Sequence, residues 1–180
     1  MAAPTTPTST RNLDGYGAPV IDWSRVRSRL DEGFTQAPET GGPDRHTHWL
    51  ATVGHDGQPH ARPVGAIQFD GAFYFSSGEG TMHVRNIARN PKVSLSVATH
   101  PFDIVVEGTA RKVTDEVTVQ RGADAFAAEG WAPTVRDGAF YHEFSAPSAG
   151  PPPWYLFEIT PQTVYALGTA EPYGATRYDF

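Results

Sequence analysis

Two Asp-Gly pairs, Asp56-Gly57 and Asp70-Gly71, separate short segments in which apolar and polar residues alternate, and this leaves little freedom in how the segments associate. Asp-Gly tolerates the positive φ of a tight primed turn, so each pair predicts an antiparallel hairpin. HTHWLATVG, QPHARPVGAIQF and AFYFSS then read as three strands of a meander. A helix over 81 to 90 follows, stopped by Pro91, and KVSLSVATH and DIVVEGTARKVTD form two more strands separated by Pro101. Direct hairpins leave no room for crossover helices, so the pattern predicts a mainly β fold: an antiparallel barrel with a few helices. Pro63 and Gly65 suit a bulge or corner where a barrel strand bends.

The flanking segments are read the same way. Residues 1–20, rich in Pro, Thr, Ser and Gly, predict a mobile tail, and 21–180 a single domain. Asp22 caps a helix whose apolar stripe is Trp23, Val26, Leu30 and Phe34, with Arg25, Arg27 and Arg29 on its solvated face. The stretch 37–45 is a loop. Residues 116–129 form a helix with Val119, Ala123 and Phe126 inward; 131–153 is irregular; WYLFEIT and QTVYALG make a final strand pair around Pro161. Trp49, Phe73, Phe75, Trp154 and Phe157 alternate as core residues.

Charge and composition exclude several functions. A formal charge of −6 argues against a nucleic-acid partner, whose recognition needs a strongly basic face. The absence of cysteine removes disulfides, thiolate nucleophiles and cysteine-ligated zinc. No apolar run reaches transmembrane length and no signal core opens the chain, so no membrane partner and a cytoplasmic location are expected. His46 and His48 share a strand face, but no third ligand at strand or helix spacing completes a set, and no metal is expected. GEGT lacks the lysine of a phosphate-binding P-loop, and neither a Ser-His-Asp arrangement nor paired catalytic carboxylates stand out.

Positive chemistry is concentrated between Ala61 and Pro91. There a hairpin feeds a glycine-rich loop, Ser76-Ser77-Gly78-Glu79-Gly80, and a short basic helix with Thr81 as its N-cap. First-turn amides and the positive helix end suit a phosphate. The bland readings are a plain turn for the serines and glycines, a cap for Thr81, and a solvated face for Arg85 and Arg89.

WLATVGHDGQPHARPV, FDGAFYFSSGEGT, VRNIARNPKVSLSV, VVEGTARKV and the terminal ATRYDF, taken in order, resemble the pyridoxamine 5'-phosphate oxidase-like split-barrel flavoproteins, in particular their flavin/deazaflavin oxidoreductase branch. The resemblance covers roughly residues 46–168. It implies a split β-barrel homodimer with FMN or the deazaflavin coenzyme F-420 in a groove at the subunit interface, acting on a small-molecule substrate. It also implies that Arg62, Val64 and Gln68 line the cofactor ring, that Ser76 and Ser77 hold its phosphate or ribityl chain, and that Thr81, Met82, His83, Arg85 and Asn86 surround the phosphate, with Arg177 reaching in from the C-terminal segment. Relatives carry Lys or Arg where this chain has Met82 and His83, and a neutral imidazole is a weaker phosphate partner. Arg85, Arg89 and Lys92 offset that loss, and cations so spread match the long anionic tail of F-420. The implied function is hydride transfer between F-420 or FMN and a small organic substrate, with 131–153 as part of the substrate wall. Alternatives are an FMN-dependent pyridoxamine-phosphate-type oxidase and a non-catalytic cofactor- or haem-binding split barrel. The cofactor supplies the redox chemistry, so no catalytic residue is assigned; Tyr74, Tyr155 and His60 are candidate proton donors.

Overall fold

The computed structural model describes residues 5–34 and 46–180. Its strands are β1 (Ser9–Asn12), β2 (His48–Val53), β3 (Pro59–Val64), β4 (Ala66–Phe69), β5 (Ala72–Ser77), β6 (Lys92–Ala98), β7 (Phe102–Lys112), β8 (Thr134–Arg136), β9 (Ala139–Tyr141), β10 (Tyr155–Gly168) and β11 (Ala175–Asp179), and its helices are α1 (Trp23–Asp31), α2 (Met82–Arg89) and α3 (Glu116–Ala128). All the strand pairings between these elements are antiparallel.

One path of neighbours runs β3-β2-β6-β7-β10-β5-β4. Its two ends, β3 and β4, are consecutive in the chain and separated only by Gly65, so chain continuity at this corner brings the sheet round on itself. The expected single strand over 58–69 is thus two, and the bend falls at Gly65 as its lack of a side chain suggests. Leu50, Ala66, Phe75, Leu95, Val106 and Ile159, from six strands of that path, meet in one buried core. Val26 and Leu30 of α1 and Ile87 of α2 plug it. Asp22 caps α1 by accepting from the Ser24 amide, as expected.

Asp70 (φ 50°) and Gly71 (φ 77°) both have the left-handed backbone that a primed turn needs. A third pair, Asp137 (φ 50°) and Gly138 (φ 71°), closes the β8–β9 hairpin inside the segment expected to be irregular. Phe140 of that hairpin joins Trp131, Phe126, Trp154 and Leu156 in a second apolar cluster beneath α3. As expected, α3 turns Val119, Ala123 and Phe126 inward, and Gly122 lets Leu156 approach closely.

Three further expectations are corrected. WYLFEIT and QTVYALG are one continuous strand, β10, because Pro161 is absorbed by a register shift between Pro161 and Thr163. Its first half pairs with β5 and its second with β11, while β7 runs along both. Within the expected tail, Ser9–Asn12 form β1 against β11. Trp49 is 48% exposed, because in β2 the inward row is His48, Leu50 and Thr52. The loop expected at 37–45 lies outside the described residues.

Candidate functional site

Helix α2 sits between the β2–β3 and β5 walls. Val84 and Ile87 pack on the main core, Asn86 donates from Nδ2 to Thr52 Oγ1 of β2 at 3.1 Å, and His83 Nε2 lies 2.7 Å from Ser77 Oγ at the end of β5. The glycine loop at 78–80 delivers the chain into this position.

Thr81 occupies the N-cap position with extended backbone, but its side chain makes no cap bond. Its hydroxyl donates instead to the Gly78 carbonyl at 3.0 Å and lies 3.0 Å from Ser77 Oγ. That corrects the expected capping role and leaves the first-turn amides without a side-chain acceptor, a state that favours an external anion. Arg85 Nη1 donates to the Gly80 carbonyl at 2.9 Å, and Arg62 Nη1 to the Ala61 carbonyl at 2.7 Å. Neither exposed guanidinium has a carboxylate partner among the described residues, a state they share with Arg11, Arg25, Arg89 and Arg136. Burial, then the charge of Arg62, hold the His83 imidazole below its ordinary value of 6.5, so at neutral pH it carries no charge.

Beside the loop opens a cleft of about 440 Å³, lined by Gly78–Thr81 on one side and by Ser148–Pro151, Pro153 and Tyr155 on the other. The volume is that of a small-molecule site. Its second wall belongs to the segment expected to line the substrate. At the edge, Lys112 Nζ lies 2.6 Å from Glu79 Oε1 and 3.3 Å from the Tyr155 ring centre, so Glu79 is neutralised rather than left to repel an anion.

Of the residues expected to bind a cofactor, Thr81, Met82, His83, Arg85 and Asn86 lie on the first turns of α2 or its cap, Ser77 is bonded to His83, and Arg62 acts on His83 from β3. Val64 packs against the main core below them. Ser76 and Ser77 are neighbours on a strand and so point to opposite faces of β5. Gln68 is elsewhere: its Oε1 is buried without a hydrogen-bond partner among the described residues, beside a void lined by Trp23, Phe73 and Phe180. Arg177 is also apart, on β11, paired with Asp179 at 2.8 Å. Among the candidate proton donors Tyr155 lines the cleft. Tyr74 is buried, stacked on Phe69 at 3.9 Å, and held protonated by burial and by Glu158, its pKa pushed up to about 12. His60 lies on the outer strand β3, against the Gly54 turn.

Sequence reasoning passed over Lys112, which closes a strand 33 residues beyond Glu79. The antiparallel register of β7, β10 and β5 brings it there, and no local pattern signals it. His46 and His48 flank the Phe34 ring, and His46 Nδ1 bonds the Ala98 carbonyl at 2.8 Å. Among the described residues no group of three or more His, Asp or Glu could hold a metal, and no helix is long and apolar enough to cross a membrane.

The architecture is a split antiparallel barrel with a glycine loop and a short helix packed between β2 and β5. The family model described as Pyridoxamine 5'-phosphate oxidase matches residues 35–168, and the chain belongs to that family. No protein of curated function matches significantly. Similar solved structures include a conserved hypothetical protein from Mycobacterium tuberculosis, 16% identical with TM-score 0.61, covering 87% of this chain and 90% of that one. A putative pyridoxamine 5'-phosphate oxidase from Listeria innocua is 17% identical with TM-score 0.55, covering 82% and 98%. A protein related to general stress protein 26, of the pyridoxinephosphate oxidase family, from Clostridium acetobutylicum is 14% identical with TM-score 0.55, covering 89% and 97%. At these identities the likeness speaks for the fold.

Proposed function

We propose that the protein is an oxidoreductase that holds a flavin-type cofactor with a phosphorylated tail, coenzyme F-420 or FMN, and uses it to transfer hydride to or from a small organic molecule. The observation that carries this reading is the uncapped start of α2 flanked by Arg62 and Arg85, neither engaged by a carboxylate among the described residues, beside a cleft of about 440 Å³. Family membership supports the cofactor class. The residues fit the group at its anionic end, because first-turn amides without a side-chain acceptor stand there with two guanidiniums.

Bound in the cleft, the cofactor supplies the hydride chemistry. The chain's own part is to bind and orient. The α2 amides and Arg85 hold the phosphate, Arg62 balances charge from β3, and the wall of Ala149, Pro151 and Pro153 excludes water from one side of the cleft. Of the three candidate proton donors, we assign the role to Tyr155 because it lines the cleft. Arg62 lies on β3, Arg85 on α2 and Arg89 in the last turn of α2, a spread of cations that suits the long anionic tail of F-420.

The proposal extends to a homodimer. The outward rows of β2 and β3 place Trp49 opposite Pro63, Ala51 opposite Ala61 and Val53 opposite Pro59, with Trp49 and both prolines exposed. Six apolar residues on one sheet face suit a second copy of the chain.

The test is titration of the purified protein with FMN and with F-420, followed by fluorescence, and then reduction of whichever cofactor binds to see whether it passes hydride to an α,β-unsaturated acceptor. Micromolar binding and protein-dependent turnover are expected. Binding of neither, or a protein that purifies with an intense Soret band, would overturn the reading.

A further inference from the structure

The Ser77–Thr81–His83 cluster has a direction. Thr81 Oγ1 gives its proton to the Gly78 carbonyl at 3.0 Å, so towards Ser77 it can only accept. Ser77 Oγ is 3.0 Å from Thr81 Oγ1 and 2.7 Å from His83 Nε2. Were Ser77 to donate to the imidazole, two hydroxyl oxygens would face each other at 3.0 Å with no proton between them. The arrangement in which each of the three shortest contacts carries a proton runs from His83 Nε2–H to Ser77, from Ser77 to Thr81, and from Thr81 to Gly78, with Ser77 Oγ to the Gly78 carbonyl at 3.4 Å and Thr81 Oγ1 to His83 Nε2 at 3.3 Å as longer, secondary contacts. The neutral ring therefore carries its proton on Nε2. Its Nδ1 makes no hydrogen bond among the described residues and presents a bare lone pair.

Position makes that lone pair consequential. His83 lies in the first turn of α2, at the positive end of the helix. Among charged groups, Arg62 of β3 acts on the ring; Phe75 of β5 meets it edge-on at 6.0 Å, Glu79 is held by Lys112, and Arg85 turns to the Gly80 carbonyl. A second proton is therefore opposed by a guanidinium, the helix end and burial together, and a bound dianion reverses the first two of these.

We propose that His83 couples anion capture to proton uptake, so that a phosphate group seated at the start of α2 and a proton on His83 Nδ1 each strengthen the binding of the other. The inference rests on the proposed anion site at that helix end. A fixed Lys or Arg holds its charge at every physiological pH; His83 acquires it with the ligand, making affinity rise as pH falls from 8 to 6.

The experiment follows the His83 ring by NMR through a pH titration of the folded protein, alone and with FMN, F-420 or inorganic phosphate, the resonance being assigned by its loss in His83→Gln. Free protein should show a midpoint below 6.5, and ligand should raise it by a unit or more, which is about tenfold in coupled affinity. His83→Gln should weaken cofactor binding about three- to sevenfold at pH 6 and less than twofold at pH 8. His83→Lys should bind without that dependence. Any ionisation of the FMN phosphate itself is common to all three proteins and cancels in the comparison. A ligand that binds while the His83 midpoint stays put would overturn the coupling and leave the cofactor reading standing. A midpoint raised by phosphate alone, with neither cofactor bound, would uphold the coupling and remove the cofactor reading. No binding by any of the three would overturn both.

Discussion

At the scale of single residues, burial decides which side chains titrate usefully. His48 is 1% exposed against the Phe34 ring, and burial, followed by the charge of His46, lowers its pKa to about 4. In the unfolded chain it binds its proton near 6.5, so the unfolded state takes up more protons between those values and stability falls as pH drops from 6.5 to 4. The loss should approach roughly 3 kcal/mol. Urea unfolding at pH 7, 5.5 and 4 measures it, and His48→Asn should flatten the dependence; an unchanged acid slope in that variant would remove His48 as the cause. Gly78 makes a different demand. A Cβ there would sit 2.9 Å from the Ala149 carbonyl, so Gly78→Ala should push the 148–151 wall away and weaken cofactor binding about tenfold or more, with the melting temperature nearly unchanged. Equal binding by the variant would show that this wall does not shape the site.

At the scale of elements, the hairpins were legible and the long strand was not. Asp70-Gly71 announces its turn because few other pairs accept positive φ at both positions. Gly71→Ala should cost about 1–2 kcal/mol, read from the shift in denaturation midpoint, since φ is 77° there. Asp137-Gly138 carried the same signal, but the prolines and glycines after it made the whole segment look irregular. Pro161 misled in the opposite direction. It reads locally as a strand break, yet β7 follows β10 past it by shifting register, with Gly108 opposite Pro161 and the Thr160 carbonyl where a Gly108 side chain would begin. Gly108→Ala should therefore be among the more destabilising substitutions, beyond about 2 kcal/mol, because backbone must move to admit one methyl group. A variant as stable as the parent would show that the bulge yields easily.

At the scale of the whole molecule, the sequence order of strands was enough to read an antiparallel barrel, because each hairpin limits the next, and the family resemblance made it a split one. What it left open was which distant segments meet. Lys112 reaches Glu79, and the 148–153 wall faces the glycine loop, through register across β5, β10 and β7. Arg177 and Gln68 illustrate the converse: both are placed near the site by resemblance, and within one chain both sit apart from α2. The outward face bearing Trp49 belongs to this scale too. Under the proposed dimer, the parent should sediment as two chains and Trp49→Asp as one, with the barrel intact by circular dichroism; a monomeric parent would remove the dimer, and a variant that sediments as a dimeric parent does would place the interface elsewhere. The proposed function requires that a phosphorylated tail be held between Arg62, Arg85 and the start of α2. The most direct measurement compares FMN with riboflavin, and F-420 with its tail-free deazaflavin core, against parent, Arg62→Ala and Arg85→Ala proteins. Each substitution should weaken the phosphorylated ligand by about tenfold or more, in line with loss of a charge-assisted hydrogen bond, and change the tail-free ligand less than twofold. Equal losses for both ligands, or none, would contradict it.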